Sequence, residues 1–398
     1  MGRTLSERFR RQNFAEEAFP NLAMEALEEA QPHRHVGVQS VLDYLSSAGQ
    51  LPRQGAPDFG EPPVNLYFDD HIFIGALFWV DGTTSIHEHA FSGAFTVLEG
   101  SSVHVRYSFE QTRAWNQHLR LGQLRVEDTE LLMPGDVRPI LFGPSLIHAL
   151  FHLQRPTLSL VVRTQGLALG AFQYTYSRSG LAHNRFLQPP SQARKLLVLR
   201  AAIKSRHPGA LGFAERLIDS SDALFATRVL LEVNLDTGAM KHVGPLLRRV
   251  REHHGDLADV LERALAYERS TGYLVALREK VHDEDLRFFL ALLLNVRDRD
   301  TVLRMMAKRF PDEAPVDRVL RCLDKLAAPA KGAQQGVLGI ELDGARRWVL
   351  RGLLEGRTEA QLIEQAANDP TAPKAAAIQE LTFILPFNSV VGSLLSRA

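Results

Sequence analysis

Apolar positions change period about halfway along the chain, and the change predicts two kinds of structure. After Pro63 short apolar or alternating runs follow one another: Val64–Phe68, Ile72–Val80, Ala94–Leu98, Val103–Phe109, Leu119–Val126, Val137–Phe142, Ile147–Leu153 and Leu158–Thr164. Gly, Pro, Asp or polar residues separate most of them. Strands at this spacing predict a sandwich or barrel rather than βαβ units. A further strand around Ala171–Tyr176 is placed to close it. From about Ala193 the spacing is helical to the end, as in Lys195–Lys204, Leu257–Arg269, Asp285–Asn295 and Val316–Leu326, with breaks at Pro208, Pro311, Pro315 and Pro329.

The stretch before the strands is different again. Residues 5–31 are charged and helix-favouring, and a second short helix is predicted from Val36 to Ser47, stopping at Gly49. Residues 52–63 hold four prolines and two glycines and read as a linking loop. Three parts follow: N-terminal helices and loop over 1–63, a β-barrel over 64–188 and an all-helical domain over 193–398. The joint is expected at Gln188-Pro189-Pro190-Ser191-Gln192. The fold class is a β-barrel followed by an all-α domain, α+β overall.

Composition narrows the partners. The chain has 398 residues, with 46 basic against 46 acidic. A formal charge of zero argues against nucleic acid, whose affinity rests on many Lys and Arg phosphate contacts. The single cysteine, Cys322, excludes an intrachain disulfide and fits a reducing compartment. The N-terminus lacks the apolar run of a signal peptide, and the C-terminal run from Leu381 to Leu395, broken by Pro386, Asn388 and Ser389, is too short to span a bilayer. The expectation is a soluble cytoplasmic protein with no membrane partner.

Candidate chemistry is concentrated around Ser85-Ile86-His87-Glu88-His89. Histidines two apart on an extended chain project to one face, which in a small barrel is the interior, while Glu88 between them points the other way. Neutral imidazoles there suit a divalent Fe, Mn, Ni, Cu or Zn ion. A third imidazole comes from His148, delivered by the turn Gly143-Pro144 onto the next strand. His87, His89 and His148 would hold the metal, with open positions for a substrate and O₂. His152, four residues past His148, is a supporting imidazole or a buried structural one; His104 and Arg106 alternate on Val103–Phe109 and are candidates for the same interior. Gly100, Gly135 and Gly143 read as turn residues, Asp136 as a turn cap, and Phe91, Phe95, Phe142 and Phe151 as apolar wall. The run Arg251-Glu252-His253-His254 resembles a metal cluster, but adjacent helical residues point about 100° apart, so it reads as solvated surface.

This layout resembles the cupin superfamily over roughly residues 64–165. Gly82, His87, His89 and Gly100 match its first motif. Pro134, Gly135, Asp136, Gly143 and His148 match its second, with His152 where an Asn is usual. Gly93 stands where most cupins carry a glutamate ligand. A three-His cupin without it is similar to the thiol dioxygenases, cysteine dioxygenase among them. That resemblance implies the cupin double-stranded β-helix, non-haem Fe(II) and a dioxygenase-type oxidoreductase. The substrate-carboxylate arginine it implies is replaced by Val64, and a tyrosine by Arg163. Arg163, or else Arg106, is then the expected anchor for a substrate anion, and Tyr107, Tyr174 and Tyr176 are the candidates for the missing tyrosine. The reading is an Fe(II)-dependent oxygenase of a small anionic or thiol-bearing substrate. Its rivals are a non-catalytic sensor with a helical effector, and a Zn- or Mn-dependent isomerase or lyase. The helical half is left with three roles: covering the barrel mouth, pairing two copies as a homodimer, or holding a carrier.

Overall fold

The structure, a computed structural model, describes residues 1–395 except 55–59, 81–84, 166–171, 185–186, 188, 235–240, 297 and 330–335. Gly82, Ala171 and Gln188 lie outside the described residues.

Three helices open the chain: α1 (Gly2–Arg11), α2 (Phe19–Ala30) and α3 (Val38–Ser47), with a 3-10 turn at Glu16–Ala18. Among the described residues eleven strands follow: β1 (Pro63–Phe68), β2 (Ile72–Trp79), β3 (Ile86–His89), β4 (Gly93–Glu99), β5 (Ser102–Asn116), β6 (Leu119–Leu132), β7 (Val137–Ile140), β8 (Gly143–His152), β9 (Thr157–Thr164), β10 (Tyr174–Tyr176) and β11 (Leu181–Asn184). They form a five-stranded sheet in the order β1-β2-β9-β4-β7 and a closed barrel in the order β10-β11-β6-β5-β8-β3. The described residues after β11 form helices: α4 (Pro190–Lys204), α5 (Ala210–Asp219), α6 (Ala223–Asn234), α7 (Val243–His254), α8 (Leu257–Lys280), α9 (Glu284–Asn295), α10 (Arg299–Arg309), α11 (Pro315–Ala327), α12 (Gly344–Leu354), α13 (Glu359–Ala366), α14 (Ala375–Ile384) and α15 (Ser389–Leu395). The architecture is a closed β-barrel and sheet with an all-α region, α+β overall.

The five-stranded sheet is buried on both faces, for two different reasons. On one, Ile72, Ile74, Ala94, Leu158, Leu160 and Val162 form a core with Leu5, Phe9, Phe19, Ala23 and Leu27, so α1 and α2 are a layer on the sheet and not a detached preface. On the other, Phe95, Val97, Leu132 and Ile140 cluster with Phe91 and Val161. Alternate residues of β4 and β9 therefore serve two cores, as the period of two requires.

β5 and β6 run well past the expected Phe109 and Val126. The β5 extension is polar and mostly exposed, with charged pairs such as Arg125–Glu110 at 3.6 Å, whereas that of β6 ends in the buried Leu131 and Leu132. Such strands carry no apolar alternation to read. At the far end, Leu119 and Leu181 are buried in one core with Leu199, Ile218, Leu224, Leu230 and Leu246 of α4 to α7. The chain accordingly divides into residues 1–128 with 132–269, and residues 129–131 with 270–398. The break falls after Arg269 rather than at the Pro-rich segment, where Pro190 opens α4. Pro315, expected as a break, likewise starts a helix, a position where its missing N–H costs nothing.

In the second unit α9 is buried almost all round, through Phe288, Phe289, Leu290, Leu292 and Leu293, and is capped by the Asp283 side chain accepting from Leu286 N at 3.0 Å. The C-terminal apolar run folds as two helical segments bent by 101°. Among the described residues no single helix is long and apolar enough to cross a membrane.

Candidate metal centre

The short strand β3 is buried along its whole length, and its two faces carry opposite chemistry. His87 is paired in register with His148 of β8, and the donor nitrogens of His87, His89 and His148 all lie within 4.8 Å of one another. Nε2 of His89 is 2.8 Å from Nε2 of His148. Two nitrogens bound at about 2.1 Å and at a right angle to one ion stand about 3 Å apart. The pair is therefore already at the separation of neighbouring ligands.

Outer contacts orient two of the rings. His87 Nδ1 lies 2.6 Å from Ser85 O and, as the donor to that carbonyl, leaves the lone pair on Nε2. His148 Nδ1 lies 2.8 Å from His104 Nε2 and, as the donor to it, leaves the lone pair on His148 Nε2. His89 Nδ1 is buried without a hydrogen bond. Burial, the neighbouring imidazoles and, for His89, Arg163 hold His89 and His148 well below the ordinary imidazole range. Both rings are neutral at pH 7 and keep lone pairs for a cation. Three buried imidazoles, two of them oriented by outer contacts, fit a divalent metal.

The wall around the centre is apolar and cationic. Phe95 meets His104 and His148 edge-on at 5.8 and 6.1 Å, and Phe91 stands 4.6 Å from His89. In register, Gly93 pairs with Arg163 and Phe95 with Val161, which places Arg163 on the face that Phe95 turns to the histidines. Its guanidinium lies between two rings, 4.2 Å from the centre of Phe73 and 4.0 Å from that of Phe91. At Gly93 a Cβ would meet Val162 O at 2.1 Å and Arg163 Cα at 2.9 Å, so no side chain fits at this position beside Arg163.

Other candidates sit elsewhere. Tyr107 pairs with Ile147, on the opposite face of β5 and β8 from His148, and its hydroxyl meets Arg178 at 3.1 Å, which removes it from the metal centre. Arg106 is half exposed in an ion pair with Asp128 at 2.8 Å. His152 bonds Ser102 Oγ at 2.9 Å through Nδ1 and stacks on Trp79 at 4.2 Å, a buried structural pairing. Phe142 is exposed, outside the wall. His253 meets Asp219 at 3.1 Å on the surface. Asp136 caps its turn by accepting from Met133 N at 2.8 Å.

Glu88 faces away from the histidines. Its carboxylate accepts from the Tyr176 hydroxyl at 2.6 Å and from Tyr174 N at 3.3 Å. Burial pushes its pKa up, and these two donors pull it back in part. Arg120 lies over the Tyr174 ring at 4.3 Å. Tyr174 and Tyr176 are thus committed to the opposite face of β3. Cys322 is buried, and its thiol is pushed up to about 12, which leaves no thiolate at neutral pH.

No protein-family model and no curated protein matches the chain. Solved structures similar to part of it include the DMSP lyase DddQ from Ruegeria pomeroyi DSS-3, at 16% identity and TM-score 0.22, covering 38% of this chain and 75% of that one. A recombinant oxalate oxidase in complex with glycolate gives 15%, 0.22, 42% and 86% in the same order. A sugar phosphate isomerase from a cupin superfamily of Silicibacter pomeroyi DSS-3 gives 17%, 0.20, 32% and 79%. Likeness at this level speaks to no activity of this chain.

Proposed function

We propose that this protein is a cupin-type, non-haem Fe(II)-dependent oxygenase that uses O₂ on a small anionic or thiol-bearing substrate. The observation that carries the proposal is a buried three-imidazole set with Arg163 beside it and no room for a carboxylate ligand at Gly93. His87, His89 and His148 would hold the metal. A neutral ligand set leaves a divalent ion its full charge, and the ion supplies a site for direct binding of an anion next to O₂. Arg163, whose guanidinium lies 4.2 Å from the centre of the Phe73 ring and 4.0 Å from that of Phe91, would meet a carboxylate bidentately. Phe91 and Phe95 keep water from the rings. A buried cysteine with a raised pKa fits a reducing, cytoplasmic setting.

Protein purified without a histidine tag should hold close to one iron per chain. It should consume O₂ only when a small thiol or carboxylate from a panel is added. Arg163→Leu should weaken the active compound's binding roughly 10- to 150-fold with iron content intact, as loss of a charge-assisted pair worth about 1.5–3 kcal/mol requires. Arg163→Lys should rescue in part. Full metal occupancy in His148→Ala would overturn the ligand assignment. Stoichiometric zinc or manganese with turnover independent of O₂ would turn the reading to an isomerase or lyase.

A further inference from the structure

The segment between α1 and α2 reaches the end of the sheet where the centre's wall is built. Glu16 Oε1 accepts from the Ser92 backbone N–H at 2.9 Å and from the Thr164 hydroxyl at 2.6 Å, and Thr164 N donates to Ser92 O at 2.9 Å. Ser92 and Thr164 are buried, and each adjoins a wall residue: Phe91 precedes Ser92, and Arg163 precedes Thr164. One carboxylate oxygen thus ties the start of β4 to the end of β9, across the Phe91–Arg163 contact. A second tie lies nearby, where the Phe14 ring stacks on His71 at 3.8 Å, two residues before Phe73.

We propose that Glu16 is a positioning residue for the Phe91–Arg163 wall, so that the N-terminal segment is part of the site. The inference rests on the reading of Arg163 as anion anchor. Without the carboxylate, the buried Ser92 N–H and the Thr164 hydroxyl lose a charged acceptor and keep only their longer contacts with each other, at 3.2 and 3.4 Å, so the turn carrying Phe91 is held less tightly. Phe91 covers one face of the guanidinium, and a guanidinium with one face uncovered can turn away from its bidentate plane. The imidazoles have separate supports in Ser85 O, His104 and the β3–β8 pairing. Removing Glu16 should therefore weaken an anion at the wall and spare the metal.

The test uses the full-length chain loaded with Co(II), with acetate titrated against the visible Co(II) spectrum, and hydrogen exchange followed over residues 86–99. Glu16→Ala should weaken acetate roughly tenfold at unchanged Co(II) stoichiometry, and exchange should quicken at 91–93 but not in β3. Glu16→Gln keeps an acceptor oxygen and should recover most of the affinity. In an Arg163→Leu background Glu16→Ala should change acetate binding less than twofold, a coupling that a general loss of stability would not produce. Unchanged acetate affinity in Glu16→Ala, an undiminished penalty in the Arg163→Leu background, or a cobalt-loaded parent blind to acetate would each overturn the proposal. A parent that takes up no Co(II) would instead overturn the metal reading, and unaltered exchange at 91–93 in Glu16→Ala would then still dismiss the tie.

Discussion

His104 Nε2 stands 2.8 Å from His148 Nδ1, an imidazole supporting an imidazole inside a buried strand pair. The contact sets which nitrogen of His148 carries the lone pair. His104→Ala should lower metal affinity about 10- to 100-fold, the scale for lost outer supports of ligating histidines. Equilibrium dialysis against Zn(II) would read it. His104→Gln, which presents an acceptor oxygen to the same nitrogen, should lose less than His104→Ala. Equal losses in the two would mean that His104 fills space and does not orient the ring.

Gly93 has no room for a single extra carbon, because the carbonyl of Val162 occupies it. Gly93→Ala should destabilise the fold by about 3 kcal/mol, at the upper end for overpacking because backbone cannot swing aside as a side chain does. Denaturant unfolding would measure this. Gly93→Glu should fail to fold before it can alter the metal preference. A stable Gly93→Glu protein with a changed metal spectrum would show that β9 yields.

Acid should weaken the metal-free protein from about pH 6.5 downward. His89 and His148 are held neutral in the fold, while the same rings in the unfolded chain take up protons below about 6.5. The unfolded state then binds more protons, so stability is complete above that pH and is lost as pH falls, by up to about 1.4 kcal/mol per pH unit for each ring. Glu88, with its pKa raised, acts in the opposite sense above the usual carboxylate range. Two imidazoles against one carboxyl keep the net slope positive. Urea midpoints at pH 5, 6 and 7.5 test the sign; a flat profile would mean the rings titrate normally.

A chain ending at residue 190 should not fold as a soluble barrel. It would strip the cover from Leu119 and Leu181, which share a core with α4 to α7. A chain ending near residue 269 keeps that core. Soluble, metal-binding protein from residues 1–190 would show that the barrel stands without those helices.

The cluster of His87, His89 and His148 was legible because period-two alternation and the Pro134-Gly135-Asp136 turn are local signals. The face of Arg163 was not, since a one-residue uncertainty in strand phase reverses it, and only pairing with Gly93 fixes the phase. Tyr107 and Arg106 are neighbours on β5 that face opposite ways; Arg106 shares the register of His148, but its guanidinium turns to Asp128, a choice that alternation alone does not make. The core joining Leu119 and Leu181 to α4–α7 depends on contacts between distant segments, which no periodicity records. Glu16 sits in a stretch rich in acids, where nothing singles it out.

Glu88 alternates with His87 and His89 on a strand of four residues, and the bond from Tyr176 holds it on the far side. Were β3 to slide by one position, the imidazoles would leave the centre and the carboxylate would enter it. A nitrogen pocket and an oxygen pocket, with different preferences among metals, are thus one step apart in the same chain. Under the proposed reading, the choice of metal would rest in part on a phenol that never approaches it, and Tyr176 is where a change of metal would begin.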